Sequence, residues 1–287
     1  MRRRARADRR RARRRLLVIA LSVFVMSSCS NGARSTPSAL TTPTTQPAVA
    51  PAPKSPVGTA AGSSAALARV STLTALGDSV PSGTACNCTP YPQLTAAKVG
   101  RLTRHKVRNF NDAVAGFRSS DVLRQLQSNT AATADVEKAD AVTIEVGAND
   151  IAFSSACGTK VACYESQLPQ VTKNISAVVS RVRLLAAGHD VAVVLLDYWS
   201  VWLGGQYAQA RGSAYVAAAT SVTHAFSDAV QSVALTTGSI YVDLRTAFRG
   251  PDDDRDETIL LANDGDHPDA EEHERIAEAI VRTIASR

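Results

Sequence analysis

Residues 141–150 read AVTIEVGAND. A β-branched, mostly apolar run from Ala141 to Val146 stops at Gly147-Ala148-Asn149-Asp150, a cluster of turn formers. A run this short, bounded by turn residues, suits a strand buried on both faces of a parallel sheet. The pattern recurs along the chain. Val70 to Leu76 runs into Gly77-Asp78-Ser79, and Val107 to Phe110 runs into Asn111 and Gly116. Val191 to Leu196 and Ile240 to Leu244 supply a fourth and a fifth run. Helical stretches fall between them. Asp121 to Leu126 follows the cap candidates Ser119 and Ser120, and Val171 to Ala187 stops at Gly188. Tyr207 to Leu235 is long and alanine-rich, with a break expected near Gly212. The last helix is expected to start at Pro268, with Glu271 and Glu272 complementing its N-terminus. Its stripe of Ile276, Ala277, Ile280, Val281 and Ile284 should face the core. Strands alternating with helices predict one three-layer α/β/α domain over residues 71–287, built on a five-stranded parallel sheet. Ligands of such sheets bind beyond the carboxyl ends of the strands. Ser79, Gly116 and Asn149 each follow one of the first three runs, so they are expected at one sheet edge.

The N-terminal part is of a different kind. Residues 1–28 carry ten arginines against Asp8, followed by an apolar run from Leu16 to Met26 and then Ser27-Ser28-Cys29. Basic head, short apolar core and small residues before a cut site describe a secretory signal peptide. The apolar run is shorter than the ~20 residues that span a bilayer. Removing residues 1–28 lowers the net charge from +6 to −3, which removes the case for a nucleic-acid partner. Met26-Ser27-Ser28-Cys29 resembles a bacterial lipobox, which implies lipidation of Cys29 and a membrane anchor on an exported, cell-envelope protein. Residues 29–70 are crowded with Ser, Thr, Pro and Ala and bury too little apolar surface to offset ordering entropy, so they read as a tether. Four cysteines remain: Cys86, Cys88, Cys157 and Cys163. An even number in an exported domain suggests disulfides, with three connectivities open. Cys157 and Cys163 flank a short Gly-containing loop, and Cys86 with Cys88 is the simplest remaining pair. Zinc is the competing use, without a CxxC or adjacent histidine to support it.

The chemistry-bearing residues fall into four blocks in order: Gly77-Asp78-Ser79 with Gly83, Asn111 to Gly116, Gly147-Ala148-Asn149-Asp150, and Asp264-Gly265-Asp266-His267-Pro268. Together they resemble the blocks of the SGNH/GDSL hydrolases and span almost the whole domain. Val80 stands where that family's naming motif has leucine, and Glu272 stands where a glycine often precedes His273. The resemblance implies a flavodoxin-like fold and a serine esterase or lipase that uses no cofactor and no metal. It implies Ser79 as nucleophile, His267 as base, and the Ser79 N–H, the Gly116 N–H and the Asn149 amide as oxyanion donors. The residues support these roles independently. A serine hydroxyl needs a base to take its proton. His267, three residues after Asp264, can hold that carboxylate on one ring nitrogen and face the serine with the other. Asp266 is the alternative partner. Asp78 and Asp150 are expected to hold local backbone N–H groups, and His273 and His224 to be structural. Tyr198, Trp199 and Trp202 are read equally as pocket lining or as packing under a loop.

Rival classes lack their signatures. Pro81 occupies the position where an α/β-hydrolase elbow needs glycine, and no G-x-G-x-x-G follows the first strand. A metal hydrolase on Asp264, Asp266, His267 and His273 would lack a compact ligand motif. A non-catalytic envelope lipoprotein that binds glycan or lipid is the alternative of a different class. The expected partner is a small ester or lipid, and a monomer is expected. Export from a suitable bacterial host should yield a mature chain starting at a diacylated Cys29, read by intact mass. A free Cys29 would identify a soluble secreted protein instead.

Overall fold

The computed structural model describes residues 65–287. The signal segment, Cys29 and residues 29–64 of the tether lie outside the described residues. Five strands alternate with helices: β1 Thr72–Gly77, α1 Ser79–Ser82, α2 Tyr91–Thr103, β2 Arg108–Asn111, α3 Ser119–Ser128, α4 Thr130–Val136 and β3 Ala141–Glu145. Then follow α5 Val161–Glu165, α6 Leu168–Leu185, β4 Ala192–Leu196, α7 Gly205–Gln209, α8 Ser213–Thr237, β5 Ile240–Val242, α9 Leu244–Arg249 and α10 Ala270–Ala285. All strands pair in parallel, in the order β2-β1-β3-β4-β5. Helices α2, α9 and α10 pack together on one face, and α3, α4, α6 and α8 on the other. The fold is the expected three-layer α/β/α sandwich.

The burial of each strand explains its sequence. β1 and β3 are buried along their whole length, and β4 is buried except at Ala192, so they carry continuous rather than alternating apolar runs. The edge strands β2 and β5 are short and partly exposed. Strand order reverses between β1 and β3, and the crevice at their carboxyl ends is where sheets of this kind bind ligands.

Two glycines fix that crevice. A Cβ on Gly77 would lie 2.1 Å from the Glu145 carbonyl oxygen, and one on Gly147 would lie 2.5 Å from the Phe226 ring. Both also hold positive φ, 151° and 135°, which side chains rarely adopt. β1 therefore closes on β3, and the turn after β3 closes on α8.

Several local expectations shift. Packing begins before residue 71, because Leu67 and Val70 are buried in the same core. β5 ends at Val242, because Asp243 caps α9 by accepting from the Thr246 N–H at 2.8 Å. The last helix starts at Ala270 rather than Pro268. Pro268 instead pairs with Leu261 in an antiparallel bridge, and Asp269 caps the helix through the Glu272 N–H at 3.0 Å. Glu272 is fully buried, and burial pushes its carboxyl up to about 8. Glu272 is turned inward, 3.6 Å from Arg275 Nε, so the exposed charge at this helix start falls to Asp269 and Glu271. The break in the long alanine-rich stretch falls at residues 210–212, between α7 and α8. Cys86 lies at bonding distance from Cys88, and Cys157 from Cys163. Among the described residues no helix is long and apolar enough to cross a membrane.

Gly77→Ala should destabilise the domain by about 2 kcal/mol or more, since neither backbone that would have to move can do so cheaply. Urea denaturation measures it. An unchanged midpoint would show that β1 and β3 can separate without loss.

Candidate active site

Each block reaches the carboxyl edge of the sheet by its own device. Ser79 opens the one-turn helix α1, whose N-cap Asp78 accepts the Val80 N–H at 3.3 Å through Oδ1. The Asn111 amide donates to the Pro81 carbonyl at 2.7 Å and ties that turn to the end of β2. Asn149 lies in a 3₁₀ turn, Ala148–Asp150, directly after β3. The following Asp150 accepts from the Ser119 N–H at 2.8 Å and the Ser119 hydroxyl at 2.7 Å. Asn174 of α6 donates to the same hydroxyl at 2.9 Å. That network sets the β3 turn against the start of α3. Asp78 thus holds a local backbone group as expected, whereas Asp150 reaches across to Ser119, 31 residues earlier.

The histidine block is a pinched loop. The Ala262 N–H donates to the His267 carbonyl at 2.8 Å and the Asp269 N–H to the Leu260 carbonyl at 2.9 Å, closing residues 262–267. The Gly204 N–H donates to the Gly265 carbonyl at 2.9 Å, tying this loop to the segment after β4. Inside it, Asp264 Oδ2 lies 2.7 Å from His267 Nδ1, while Oδ1 accepts the N–H groups of Asp266 and His267 at 3.1 Å each. Burial alone would push the Asp264 carboxyl up. The His267 and Asp266 N–H groups and the His267 ring outweigh it and hold Asp264 below its ordinary value. Asp266 makes no such contact with the ring.

Ser79, Asn149, Asp266 and His267 line one cleft, together with Asp78, Val80, Ala148, Ala152, Tyr198, Ser200 and Val201. Its space is small, about 60 Å³. Among the described residues the Ser79 hydroxyl makes no hydrogen bond, so His267 shares its cleft without being bonded to it. The Ser79 and Gly116 backbone N–H groups donate to no other described group. The Asn149 amide gives one N–H to the Phe117 carbonyl at 3.0 Å, leaving the second. Gly116 sits on the neighbouring exposed loop with φ 83° and does not line the cleft itself.

The remaining predicted residues separate. His273 is fully buried, its Nδ1 accepts from the Tyr91 N–H at 3.2 Å, and burial, with the nearby His267, lowers its pKa to about 4. His224 pairs with Asp253 at 2.6 Å, away from this cleft. Cys86, Cys88 and His273 lie close enough to share a metal, but both sulfurs are committed to each other and the imidazole Nδ1 to the Tyr91 N–H. Trp199 is packed face to face on Phe248, and Trp202 donates to the Ile151 carbonyl at 2.8 Å, so both are packing residues. Tyr198 has a second role: it lines the cleft and donates to Asp78 Oδ2 at 2.6 Å. Burial pushes the Asp78 carboxyl up to about 7, against the hydrogen bonds from Tyr198 and Val80. The pairing of Tyr198 with Asp78, and of Ser119 with Asp150, left no signal in sequence spacing.

The fold and cleft define the class: a doubly wound α/β protein holding a serine and an Asp–His pair at the switch point of its sheet. The chain belongs to the GDSL-like lipase/acylhydrolase family, whose model matches residues 75–275. That span holds all four sequence blocks. Among solved structures it is similar to an extracellular lipase from Streptomyces rimosus, at 22% identity over 74% of this chain and 99% of that one, with a TM-score of 0.57. A lipase from a goat rumen metagenome aligns at 20% identity over 73% and 95%, with a TM-score of 0.53. An acetyl-xylooligosaccharide esterase variant from Geobacillus aligns at 18% over 75% and 94%, with a TM-score of 0.54. At these identities the likeness establishes the fold. No curated protein matches the chain.

Ser119→Ala should cost about 1–3 kcal/mol, because it strips hydrogen bonds from Asp150 and Asn174 in a partly buried network. The β3 turn carrying Asn149 should loosen with it, lowering turnover as well as the thermal midpoint. A variant with wild-type stability and turnover would show that the network does not hold the turn.

Proposed function

We propose that the protein is an exported serine esterase that cleaves carboxylic esters through an acyl-enzyme. The observation that carries this reading is that His267, paired with Asp264 at 2.7 Å, lines the same cleft as Ser79. His267 takes the Ser79 proton on Nε2 as Oγ attacks the ester carbonyl. Asp264 keeps the proton on Nδ1, fixes the tautomer and stabilises the imidazolium as it forms. The tetrahedral oxyanion is received by the Ser79 N–H and the free N–H of Asn149 in the cleft, with the Gly116 N–H of the neighbouring loop as the third donor that the family resemblance implies. Collapse expels the alcohol, which takes the proton from His267. Water then repeats the sequence on the acyl-enzyme, regenerating the Ser79 hydroxyl and releasing the acid.

The cleft's size and its walls of Val80, Ala148, Ala152 and Val201 suit a short acyl group. A small ester is therefore the proposed substrate, with the alcohol directed to solvent. The N-terminal sequence supports lipid anchoring through Cys29 at the outer face of the cytoplasmic membrane. The domain would then act as a monomer on the end of its tether.

Steady-state hydrolysis of p-nitrophenyl acetate and longer esters tests the assignment. Ser79→Ala and His267→Ala should each lose several orders of magnitude in kcat, with thermal midpoints close to wild type. Asn149→Ala should lose about 10²–10³-fold. Asp264→Asn should fall between wild type and His267→Ala, and Asp266→Asn should cost far less. Ser79→Ala activity within tenfold of wild type, or a larger loss at Asp266 than at Asp264, would contradict these roles.

A further inference from the structure

Beneath the nucleophile turn lies a group of polar side chains that the proposed mechanism does not use. Glu145 ends β3, in register with Gly77, and its carbonyl accepts the Asp78 N–H at 3.2 Å. Both carboxyls are shut from solvent, Glu145 at 0% exposure and Asp78 at 1%. Tyr91 of α2 and Tyr198 after β4 close the chamber, at 0% and 1% exposure. Among the described residues, neither carboxyl forms an ion pair with a lysine, arginine or histidine. Asp78 is served by the Val80 N–H and the Tyr198 hydroxyl. Both Glu145 oxygens, the Tyr91 hydroxyl and the Thr143 hydroxyl have no hydrogen-bond partner there. Two neighbouring carboxylates without a cation in a dry interior cannot both stay ionised.

The distribution of partners decides which one keeps the proton. Asp78 has two donors aimed at it, and a carboxylate accepts where a neutral acid would have to compete. Glu145 has only the Tyr91 hydroxyl beside it, outside hydrogen-bond geometry, and sits next to the Asp78 charge. We infer that Glu145 is a positioning residue for the esterase site: held as a neutral acid, it lets Asp78 remain a carboxylate that fixes the α1 turn and the Ser79 N–H. The inference rests on the serine-esterase reading for its catalytic consequence. The groups facing Glu145 are Asp78 from the β1 turn, Tyr91 from α2, and Asp197 and Tyr198 from the end of β4. His267 and Asp266 act on it only through Asp78. Burial, then the Asp78 charge, pushes the Glu145 carboxyl well above its ordinary range. When alkaline pH removes the shared proton, the repulsion acts directly on the residue that caps Ser79.

The sign for stability follows. In the unfolded chain Glu145 ionises near about 4.3, whereas in the folded protein it stays protonated to much higher pH. Folding therefore retains a proton that the unfolded chain releases, and stability falls as pH rises through that window. Glu145→Gln removes this loss. Its folding equilibrium constant should gain on wild type by about tenfold per pH unit as pH rises above about 5, for as long as the folded protein keeps the Glu145 proton. In kcat/KM, wild type should fall at alkaline pH. Glu145→Gln should lose only the alkaline fall.

A stability difference between Glu145→Gln and wild type that stays constant with pH overturns the shared proton. An alkaline fall unchanged in Glu145→Gln, or a wild type without one, overturns the positioning role. Failure of the underlying esterase reading shows separately, as Ser79→Ala with wild-type turnover. That result would remove the positioning role, while the stability comparison still decides the shared proton.

Discussion

The contact on which the rest of the site depends is the close approach of β1 to β3 at Gly77 and Glu145. The Asp78 N–H reaches the Glu145 carbonyl only because Gly77 has no side chain to hold the strands apart. One residue later the chain turns into α1 and presents Ser79. On the partner strand, four residues past Glu145, it presents Asn149. Two residues of the proposed site, far apart in sequence, are thus set by a single parallel register. Because this happens where the strand order reverses, no crossover helix covers the crevice, and the loop bearing Asp264 and His267 can close over it.

Holding that loop is a separate problem, met with backbone hydrogen bonds instead of apolar packing. The bridge between Leu261 and Pro268 closes the loop's base, and the Gly204–Gly265 contact ties its tip to the segment after β4. Asp264 spends one carboxylate oxygen on two N–H groups of the loop and the other on the imidazole. The residue that orients the proposed base therefore also shapes the loop. Asp266 has no such structural role, which is why three-residue spacing matters more than proximity in sequence.

Much of this was legible in the chain. The buried strands β1, β3 and β4 are continuous apolar runs, and turn residues mark the ends at which the functional groups stand. The helix Tyr91–Thr103 was missed, because its buried face is Tyr91, Thr95, Ala96 and Val99 and offers only a weak apolar stripe. Pro268 was misplaced because a proline suits a first helical turn and a strand-like bridge equally well. Asp269, the actual cap, follows it at once. Glu272 reads as an exposed acid by position alone, and only the packing of α10 into the fold shows it to be buried. Glu145 did leave a signal: a carboxylate within Ala141 to Val146 contradicts a strand buried on both faces. Such a conflict marks a place where function outweighs burial cost.

The central claim is that Ser79 becomes acylated during turnover. Acid-quenching the enzyme within its first turnovers of a p-nitrophenyl ester, followed by peptide mass mapping, tests it most directly. The account predicts one added acyl group, on the peptide containing Ser79, accumulating further in Asp264→Asn if deacylation is slowed more than acylation. Steady turnover with no acyl mass on that peptide, or an acyl group on another residue, would contradict it.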